Sequence, residues 1–272
     1  MSNFKILNIL IRKIKTFSIL IKLYLLNIYF KLKYNLKEHL QYQEDIFKKL
    51  NLSREEALIK LKKIINMEND NLYYSMKSEH LVLFSAISQK FINVKILEIG
   101  TYDGNNVKIL SKLFPLSSIT TIDLDENDKN FIDSYERENL DKKEKHLTIR
   151  ELNLKNLKNV KFLKMNSVKL IDEKDKFDLI WIDGAHGNPI VTMDIINSIN
   201  ILNERGIIMC DDVWVINPPF GDDNYNSSAT FKTLKTLKDN KIIDFALAYK
   251  RLDKQNNCNP YNRKYVAVVK KL

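Results

Sequence analysis

Glycine is scarce in this sequence, and two of the six glycines among its 272 residues fall in one short stretch. The stretch runs from Ile96 to Gly104 and reads ILEIGTYDG. An apolar run followed by a Gly-x-x-x-Gly turn predicts a buried parallel strand whose carboxyl end faces a ligand, because only glycine lets backbone approach a bound molecule so closely. An α/β domain with a ligand crevice at this strand end is therefore expected.

A second short strand ends in a carboxylate about 20 residues later, where an acid can accept hydrogen bonds from ribose hydroxyls. This run extends from Ser118 to Asp123. Dinucleotide-binding proteins need Gly-x-Gly-x-x-Gly so that a pyrophosphate can lie on the helix N-terminus. Here Tyr102 stands at the second glycine position and Asn105 follows the last glycine. The pair of motifs predicts a nucleoside cofactor. A nicotinamide-dependent oxidoreductase stays open as an alternative, although this sequence lacks the glycines that such an enzyme needs.

Two acids near the turn, Glu98 and Asp103, favour a cofactor with a cationic amino-acid end. The stretch resembles motif I of class I S-adenosylmethionine-dependent methyltransferases, especially the form found in the catechol O-methyltransferase and sugar O-methyltransferase group. The resemblance covers about Ser78 to Lys270. It implies a Rossmann-like, mostly parallel sheet of seven strands with helices on both faces, here preceded by an N-terminal helical extension.

The same resemblance assigns S-adenosyl-L-methionine to the ends of the first three strands. The first acid and the turn would hold the methionine end, the acid of the second strand would hold the ribose, and two residues after a third strand would contact the adenine. The predicted cofactor-binding residues are Glu98, Gly100, Tyr102, Gly104, Asn106, Asp123, Asn166 and Ser167. Asn and Ser are also ordinary turn residues, so the last two carry the weaker signal.

A second polar cluster follows the next two expected strands. Asp183 ends one apolar run, and Asp211 and Asp212 end the next. Three carboxylates are thus expected to converge at one edge of the sheet, where they would repel one another unless a hard divalent cation bound them. A pocket lined by these acids without metal stays open as the other interpretation.

This cluster is similar to the metal site of the catechol O-methyltransferase group. The resemblance implies Mg²⁺ or Mn²⁺ at Asp183, Asp211 and Asp212, where it would lower the pKa of an acceptor hydroxyl. His186 matches the position of the general base in that group, and imidazole suits the role because its ordinary pKa is near ~6.5. The expected activity is metal-assisted methyl transfer to a hydroxyl of a sugar or other small polyol or phenol, with Asp183 and His186 as catalytic residues. The segment from Trp214 to Asn226 is expected to be a loop that shapes the acceptor site.

Positive charge is concentrated at the amino terminus. Of the formal net charge of +10, eight uncompensated charges fall within residues 1–37. The remaining chain is nearly balanced, which argues against a nucleic-acid partner, since such binding needs a basic face on the domain that handles the substrate. The expected partner is a small-molecule or glycan acceptor, with no nucleic acid.

Residues 1–37 have the pattern of a basic amphipathic helix. Their least polar run, Phe17 to Phe30, contains Lys22 and Asn27 and is too short for a spanning helix. No small-residue cleavage site follows it, which disfavours a removable signal peptide. Peripheral contact with an anionic membrane is expected. Docking on the same domain or on a second subunit of a homo-oligomer stays open, as does a membrane-bound adaptor that keeps the fold without chemistry.

The expected division of the chain is a basic helical extension at 1–50, a helical lead-in at 51–92 and the methyltransferase domain at 93–272. A helix should start at Ser53, which is followed by Glu56 in the pattern of a capping box, and a polar loop should cover Met67 to Tyr74. The two cysteines, Cys210 and Cys258, form no disulfide framework. So few cysteines favour a reducing compartment, and the expected location is the cytoplasm. Residues 1–37 would attach the protein peripherally to the cytoplasmic face of the membrane.

Overall fold

The apolar runs that end in glycine or acid form the strands of one sheet. The computed structural model describes residues 2–65, 78–135, 137–217, 223 and 225–272, with the backbone alone for 2–16 and 19. The expected polar loop at Met67 to Tyr74 lies outside the described residues. The strands are β1 (Lys95–Ile99), β2 (Ser118–Asp123), β3 (Val160–Lys164), β4 (Phe177–Ile182), β5 (Leu202–Trp214), β6 (Ile243–Tyr249) and β7 (Lys264–Lys271).

The strand order is β3-β2-β1-β4-β5-β7-β6. The first five strands pair in parallel, whereas β7 runs antiparallel to both β5 and β6. The predicted Rossmann-like sheet of seven strands is therefore confirmed. Because the order reverses between β1 and β4, the carboxyl ends of these strands open a crevice at the point where α/β folds bind ligands.

Helices connect the strands and cover both faces of the sheet. Those of the described residues are α1 (Ser2–Lys33), α2 (Leu36–Lys49), α3 (Arg54–Ile64), α4 (His80–Ile87), α5 (Asn105–Leu113), α6 (Lys129–Ile132), α7 (Leu140–Leu154), α8 (Ile190–Ile201), α9 (Ala229–Asp239) and α10 (Lys254–Asn257), with a 3₁₀ helix at Ser167–Asp172. Neighbouring residues of one strand face opposite layers, since side chains alternate along a strand. Ile96 accordingly packs in the layer of α2 to α5, and Leu97 in the layer of α8 and α9.

Helix α2 is packed into the domain, although the expected division places it in the extension at 1–50. Its Phe47 and Gln43 have no exposed surface. The Tyr42 hydroxyl donates to the carbonyl oxygen of Leu247 at 2.8 Å. The Gln43 amide bonds Tyr249 in both directions, accepting from its backbone N–H at 2.8 Å and donating to its carbonyl oxygen at 3.3 Å. The buried positions are spaced among charged residues, so composition alone did not reveal this contact.

Helix α3 begins as predicted and anchors the next helix. The Ser53 hydroxyl accepts from the Glu56 N–H at 3.3 Å, which is half of a capping box. The neighbouring Arg54 makes a buried two-pronged ion pair with Glu79, at 2.7 and 2.8 Å. The Glu79 backbone N–H in turn donates to the carbonyl oxygen of Lys250 at 2.8 Å. The lead-in helices are thereby fixed to the end of β6.

The predicted N-terminal helical extension is present as α1. Apolar side chains along it are largely exposed, with 66% of Tyr24 and 81% of Leu32 accessible to solvent. The chain joins the domain at Tyr34, whose hydroxyl donates to the carbonyl oxygen of Leu252. Among the described residues, no helix combines the length and the apolar character that a membrane crossing requires.

Candidate functional site

The turn after β1 has a backbone shape that depends on glycine. Gly100 has φ +99°, and a Cβ there would lie 2.4 Å from the carbonyl oxygen of Asp183 at the end of β4. Gly104, with φ +76°, precedes the first residue of α5. Between them, Tyr102 has φ +50° and donates its backbone N–H to Asp123 Oδ2 at 2.8 Å. The predicted turn is thus bonded to the predicted acid of β2.

A cavity of about 230 Å³ lies beside this turn. Of the residues predicted to bind the cofactor, Gly100, Tyr102, Asp123, Asn166 and Ser167 line it. Asp123 also accepts from the Leu124 N–H at 2.8 Å. Burial raises the pKa of the Asp123 carboxyl, and these backbone hydrogen bonds oppose that rise. Each of its oxygens accepts one backbone hydrogen bond and retains a lone pair that a ribose hydroxyl can use.

Of the other three predicted cofactor residues, Gly104 ends the turn, and Glu98 and Asn106 bond each other in β1 and α5. Glu98 is fully buried on the face of β1 that α5 covers, and its Oε1 accepts from Asn106 Nδ2 at 2.8 Å. Its other oxygen accepts from the Thr121 hydroxyl. Burial raises the pKa of Glu98 to about 7, against the lowering effect of these two hydrogen bonds. Glu98, Gly104 and Asn106 do not line the described part of the cavity, so their contact with a methionine end stays a prediction.

The end of the cavity that Asn166 and Ser167 line contains an acid that the sequence did not reveal. Asn166 caps the 3₁₀ helix, because its Oδ1 accepts from the Val168 N–H at 3.0 Å. Asp194 of α8 is completely buried and lines the cavity together with Ser167. Burial raises the pKa of Asp194 to about 6, and the Ser167 hydroxyl opposes that rise. A lone acid within an apolar helix gives no motif from which this position could be identified.

An aromatic and cationic wall closes the cavity on the side of α6. The Arg137 guanidinium lies 4.1 Å from the ring centre of Phe131 and 5.1 Å from that of Tyr135. Tyr225 contacts Tyr135 with ring centres 5.2 Å apart and donates its hydroxyl to Ser134 Oγ at 2.6 Å. Sequence reasoning missed this wall because Phe131, Tyr135 and Arg137 form no recognised motif and Tyr225 joins them from a distant part of the chain. The expected acceptor loop at 214–226 includes residues 218–222 and 224, which lie outside the described residues.

The acid pair at the end of β5 occupies a bulge. The register of β5 against β7 shifts between Cys210 and Val213, so that two residues of β5 face one residue of β7. Asp212 has φ +49°, a left-handed conformation that Asp tolerates better than most residues. Consecutive strand residues ordinarily point to opposite faces. The bulge lets Asp211 and Asp212 reach the same ammonium group, that of Lys250.

Two lysines from the last hairpin neutralise this acid pair. Lys250 Nζ lies 2.7 Å from Asp211 Oδ2 and also donates to Asp212 Oδ1. Lys264 Nζ lies 2.7 Å from Asp212 Oδ2. Burial alone would raise the pKa of Asp212, but Lys250, His186 and Lys264 hold it below its usual range. The pKa of Lys250 is raised, because its two acids outweigh the effect of burial.

The two predicted catalytic residues lie together beside the cavity. Asp183 lines the cavity. His186 is buried, and its Nε2 lies 3.8 Å from Asp183 Oδ1 and 3.9 Å from Asp212 Oδ2. Burial lowers the pKa of His186, although the neighbouring acids oppose this. Burial and the nearby Asp211 raise the pKa of Asp183 well above its usual range. A neutral imidazole therefore faces two acids, of which Asp183 lines the described part of the cavity and Asp212 does not; His186 itself is not among the lining residues.

The residues of this cluster do not fit the expected Mg²⁺ or Mn²⁺. Within the described ranges, no three His, Cys, Asp or Glu side chains are grouped so that they could hold a metal ion. Lysine ammonium groups occupy both oxygens of Asp212 and one oxygen of Asp211. Only Asp211 Oδ1 of that pair has no hydrogen-bond partner in the described structure. A hard divalent cation takes six or more oxygen ligands, so the expected metal role is not supported by this geometry.

Residues 97–213, which span β1 to β5, match the sequence model of a methyltransferase domain. The chain carries a class I S-adenosylmethionine-dependent methyltransferase domain. The matched segment contains the glycine turn, the acid of β2 and the whole acid cluster. The lysines that bind the acid pair lie beyond it.

Solved structures with the same fold include methyltransferases of different kinds. A putative O-methyltransferase from Klebsiella pneumoniae has 14% identity and a TM-score of 0.50, over 84% of this chain and 95% of that one. Cofactor-bound Rv0187 from MTB has 18% identity and a TM-score of 0.49, over 70% and 76%. An rRNA methylase from Streptococcus thermophilus has 10% identity and a TM-score of 0.48, over 72% and 98%. Similarity at these identities shows the fold alone. No curated protein matches the sequence.

The expectation that this methyltransferase has no nucleic-acid partner is wrong as an exclusion. An rRNA methylase from Streptococcus thermophilus and a putative rRNA methylase from Clostridium thermocellum are among the solved structures that resemble the chain. The physical reason is that the net charge of a long segment says nothing about how its charges are distributed over the surface. Local basic surface is what contacts phosphate, and a nearly neutral domain can still carry it.

Proposed function

We propose that this methyltransferase transfers the methyl group to a hydroxyl oxygen of a sugar or of another small polyol or phenol. One observation carries the proposal. A buried imidazole, His186, lies within 4 Å of two acids, Asp183 and Asp212, and Asp183 lines the cavity that the cofactor turn borders. Transfer to oxygen requires the removal of a hydroxyl proton, and a group in the position of His186 supplies a base for it.

The electrostatics of His186 suit a base. Because burial lowers its pKa, the imidazole is neutral near pH 7 and can accept a proton. Once protonated, the imidazolium would be stabilised by Asp212, whose pKa is held low and which therefore carries a negative charge. The half-buried Asp183 would orient the imidazole or the acceptor, since it lies next to both the histidine and the cavity.

The cavity residues fit the parts of S-adenosyl-L-methionine, which supplies an electrophilic methyl group when bound. Asp123 would accept hydrogen bonds from the ribose, and Asn166 and Ser167 would contact the adenine. The backbone at Gly100 and Tyr102 would approach the methionine end, since the positive φ angles there leave the turn open. Aligning the methyl carbon with an acceptor oxygen removes much of the entropic barrier. No metal takes part in this scheme, because the acid pair is bound by lysines.

The test of the proposal combines cofactor binding with product analysis. We expect S-adenosylhomocysteine to bind in calorimetry and NAD not to bind. Labelled methyl from S-adenosylmethionine should appear in an acid-stable, base-stable ether when sugars, polyols and catechols are supplied. Methylation of nitrogen or carbon in a screen that includes tRNA and rRNA, with no ether formed, would contradict transfer to oxygen while leaving the methyltransferase assignment intact.

We also propose that α1 attaches this methyltransferase to an anionic membrane surface. Residues 1–37 carry eight basic residues and no acid. Exposed apolar side chains such as Tyr24 and Leu25 stand on α1 beside exposed Lys22, Lys31 and Lys33. An apolar helix face together with basic residues gives reversible binding to anionic lipid, and each lysine near the surface contributes about 1 kcal/mol.

Two truncations separate attachment from folding. Removal of residues 1–32 should abolish co-sedimentation with phosphatidylserine vesicles and leave the melting temperature nearly unchanged, since Tyr34 and α2 remain. Removal of residues 1–51 should lower the free energy of unfolding by at least about 3–5 kcal/mol, the usual cost of deleting one buried Phe, because Phe47 and Gln43 are lost as well. Vesicle binding that survives the shorter truncation, or that does not weaken with salt, would contradict membrane attachment.

A further inference from the structure

The cluster at the ends of β4 and β5 contains two ammonium groups that neither the sequence motif nor the family match includes. Lys250 directly follows the last residue of β6, and Lys264 begins β7. Both lie beyond the matched residues 97–213. Lys250 is 9% exposed, and lysine is almost never buried unless it is paired.

The position of Lys250 is fixed from both sides of its backbone. Its N–H donates to the carbonyl oxygen of Lys264 at 3.0 Å, and its carbonyl oxygen accepts from the Glu79 N–H at 2.8 Å. Glu79 is itself held by the buried Arg54. The side chain therefore extends from a rigid point toward the bulge of β5, where one ammonium group bonds both Asp211 and Asp212.

The ammonium of Lys250 has the contacts that a cation in this cluster would need. It bridges one oxygen from each acid of the pair, and Lys264 binds the remaining oxygen of Asp212. That same oxygen, Asp212 Oδ2, faces His186 Nε2 at 3.9 Å. The two lysines bring two positive charges to the acids, as many as one divalent ion would bring.

We propose that Lys250, supported by Lys264, takes the place of a divalent cation in this acid cluster and holds Asp212 against the histidine base. Lys250 is a positioning residue in this role, acting through Asp212. The inference rests on the proposed function for its catalytic meaning. Its structural content, the exclusion of a divalent ion by an ammonium group, can be tested without an acceptor.

The test is a titration with Mn²⁺, followed by electron paramagnetic resonance and calorimetry on the full chain. The wild-type protein should bind no stoichiometric Mn²⁺. Lys250→Met leaves the two carboxylates with one lysine, Lys264, which contacts Asp212 alone. This variant should bind one Mn²⁺ per chain at least tenfold more tightly than the wild type. Adding Asp212→Asn to that variant should remove the gained binding. A purely structural role for Lys250 would not create a metal site.

Matched variants control for charge and folding. Lys271→Met removes a partly buried lysine that donates to the carbonyl oxygen of Leu202 at 2.9 Å, away from the crevice, and should gain no Mn²⁺ binding. Lys250→Arg keeps a positive charge and should also gain none. Melting curves and S-adenosylhomocysteine binding report whether each variant is folded.

Two outcomes would overturn the inference. One is stoichiometric Mn²⁺ binding by the wild type that Asp212→Asn abolishes, and this measurement decides the matter even if Lys250→Met fails to fold. The other is a folded Lys250→Met variant that gains no Mn²⁺. Failure of the proposed function would look different, since S-adenosylhomocysteine would bind and no ether would form while the Mn²⁺ results still held.

Discussion

Carboxylates stand at both ends of the crevice, but they are stabilised in different ways. At the end of β2, Asp123 accepts backbone N–H groups from Tyr102 and Leu124, which are near it in the fold of the turn. At the end of β5, Asp211 and Asp212 are bound by side-chain ammonium groups from the last hairpin. A backbone N–H carries only a partial charge, so Asp123 remains a negative acceptor, whereas full positive charges neutralise the β5 pair.

This difference gives the two groups of acids different roles: one can bind a ligand, and the other can position a neighbouring side chain. A carboxylate held by backbone donors keeps lone pairs for a ligand, and Asp123 accordingly lines the cavity. Asp212, in contrast, has both oxygens occupied by lysines, and its remaining effect is on its neighbour His186. Glu98 shows a third situation, because it is buried against two neutral hydrogen-bond donors, Thr121 and Asn106, and makes no direct ion pair with any residue that the structure describes.

Substitution of the base should have the largest effect on catalysis. His186→Ala should lower kcat by about 10²–10⁴-fold, the usual contribution of a general base, while the Kd for S-adenosylhomocysteine stays within about twofold. Because burial lowers the pKa of His186, the acid limb of the kcat profile should fall below pH 6.5. His39→Ala, on α2, is the control. Equal losses in kcat and cofactor affinity would assign His186 to cofactor binding. The two ends of the crevice would then not differ in role.

Substitution of the ribose acid should have the next largest effect and the opposite signature. Asp123→Ala should weaken S-adenosylhomocysteine binding by about 100-fold, because ribose hydroxyls lose a charged acceptor whose hydrogen bonds contribute about 1.5–3 kcal/mol each. Calorimetry measures this directly. Asp125→Ala is matched, since the Asp125 carboxylate accepts only a local N–H, that of Asn127, at 2.9 Å. Unchanged affinity in Asp123→Ala would mean that the Asp123 carboxylate only accepts backbone hydrogen bonds within the fold and does not bind the cofactor.

Replacement of Glu98, which is buried against neutral partners, should have the smallest effect on turnover, and its signature is a pH dependence of stability. Glu98 has a pKa of about 7 in the fold and an ordinary value of 4.5. The folded state therefore holds its proton longer, so the contribution of Glu98 to stability falls as pH rises from 4.5 to about 7 and is level above that. The stability of Glu98→Gln relative to wild type should rise over that interval by up to about 3 kcal/mol. Urea denaturation at pH 5, 6, 7 and 8 measures the difference, and a constant difference would contradict a raised pKa.

The turn after β1 and the acid of β2 could be predicted from sequence because each lies in a short motif. The seven-stranded sheet follows from the family resemblance, and Tyr102 bonds Asp123 because β1 and β2 are neighbours in that sheet. The acids of β4 and β5 could also be placed, since parallel strands end at one edge. The lysine partners of these acids could not be predicted. Lys250 follows an ordinary edge strand, and nothing in the sequence marks it as a neighbour of Asp211. Net charge likewise failed to exclude nucleic acid.

The amide of Gln43 has a consequence for association between chains. Strand β6 is an edge of the sheet, and an edge strand exposes unpaired N–H and carbonyl groups that can template another strand. Gln43 fills the donor and acceptor of Tyr249 as a residue of a neighbouring strand would, and Tyr42 fills the carbonyl of Leu247. Two adjacent helical side chains thus stand in for a strand, and this edge of the sheet is closed to pairing with a second molecule at these positions.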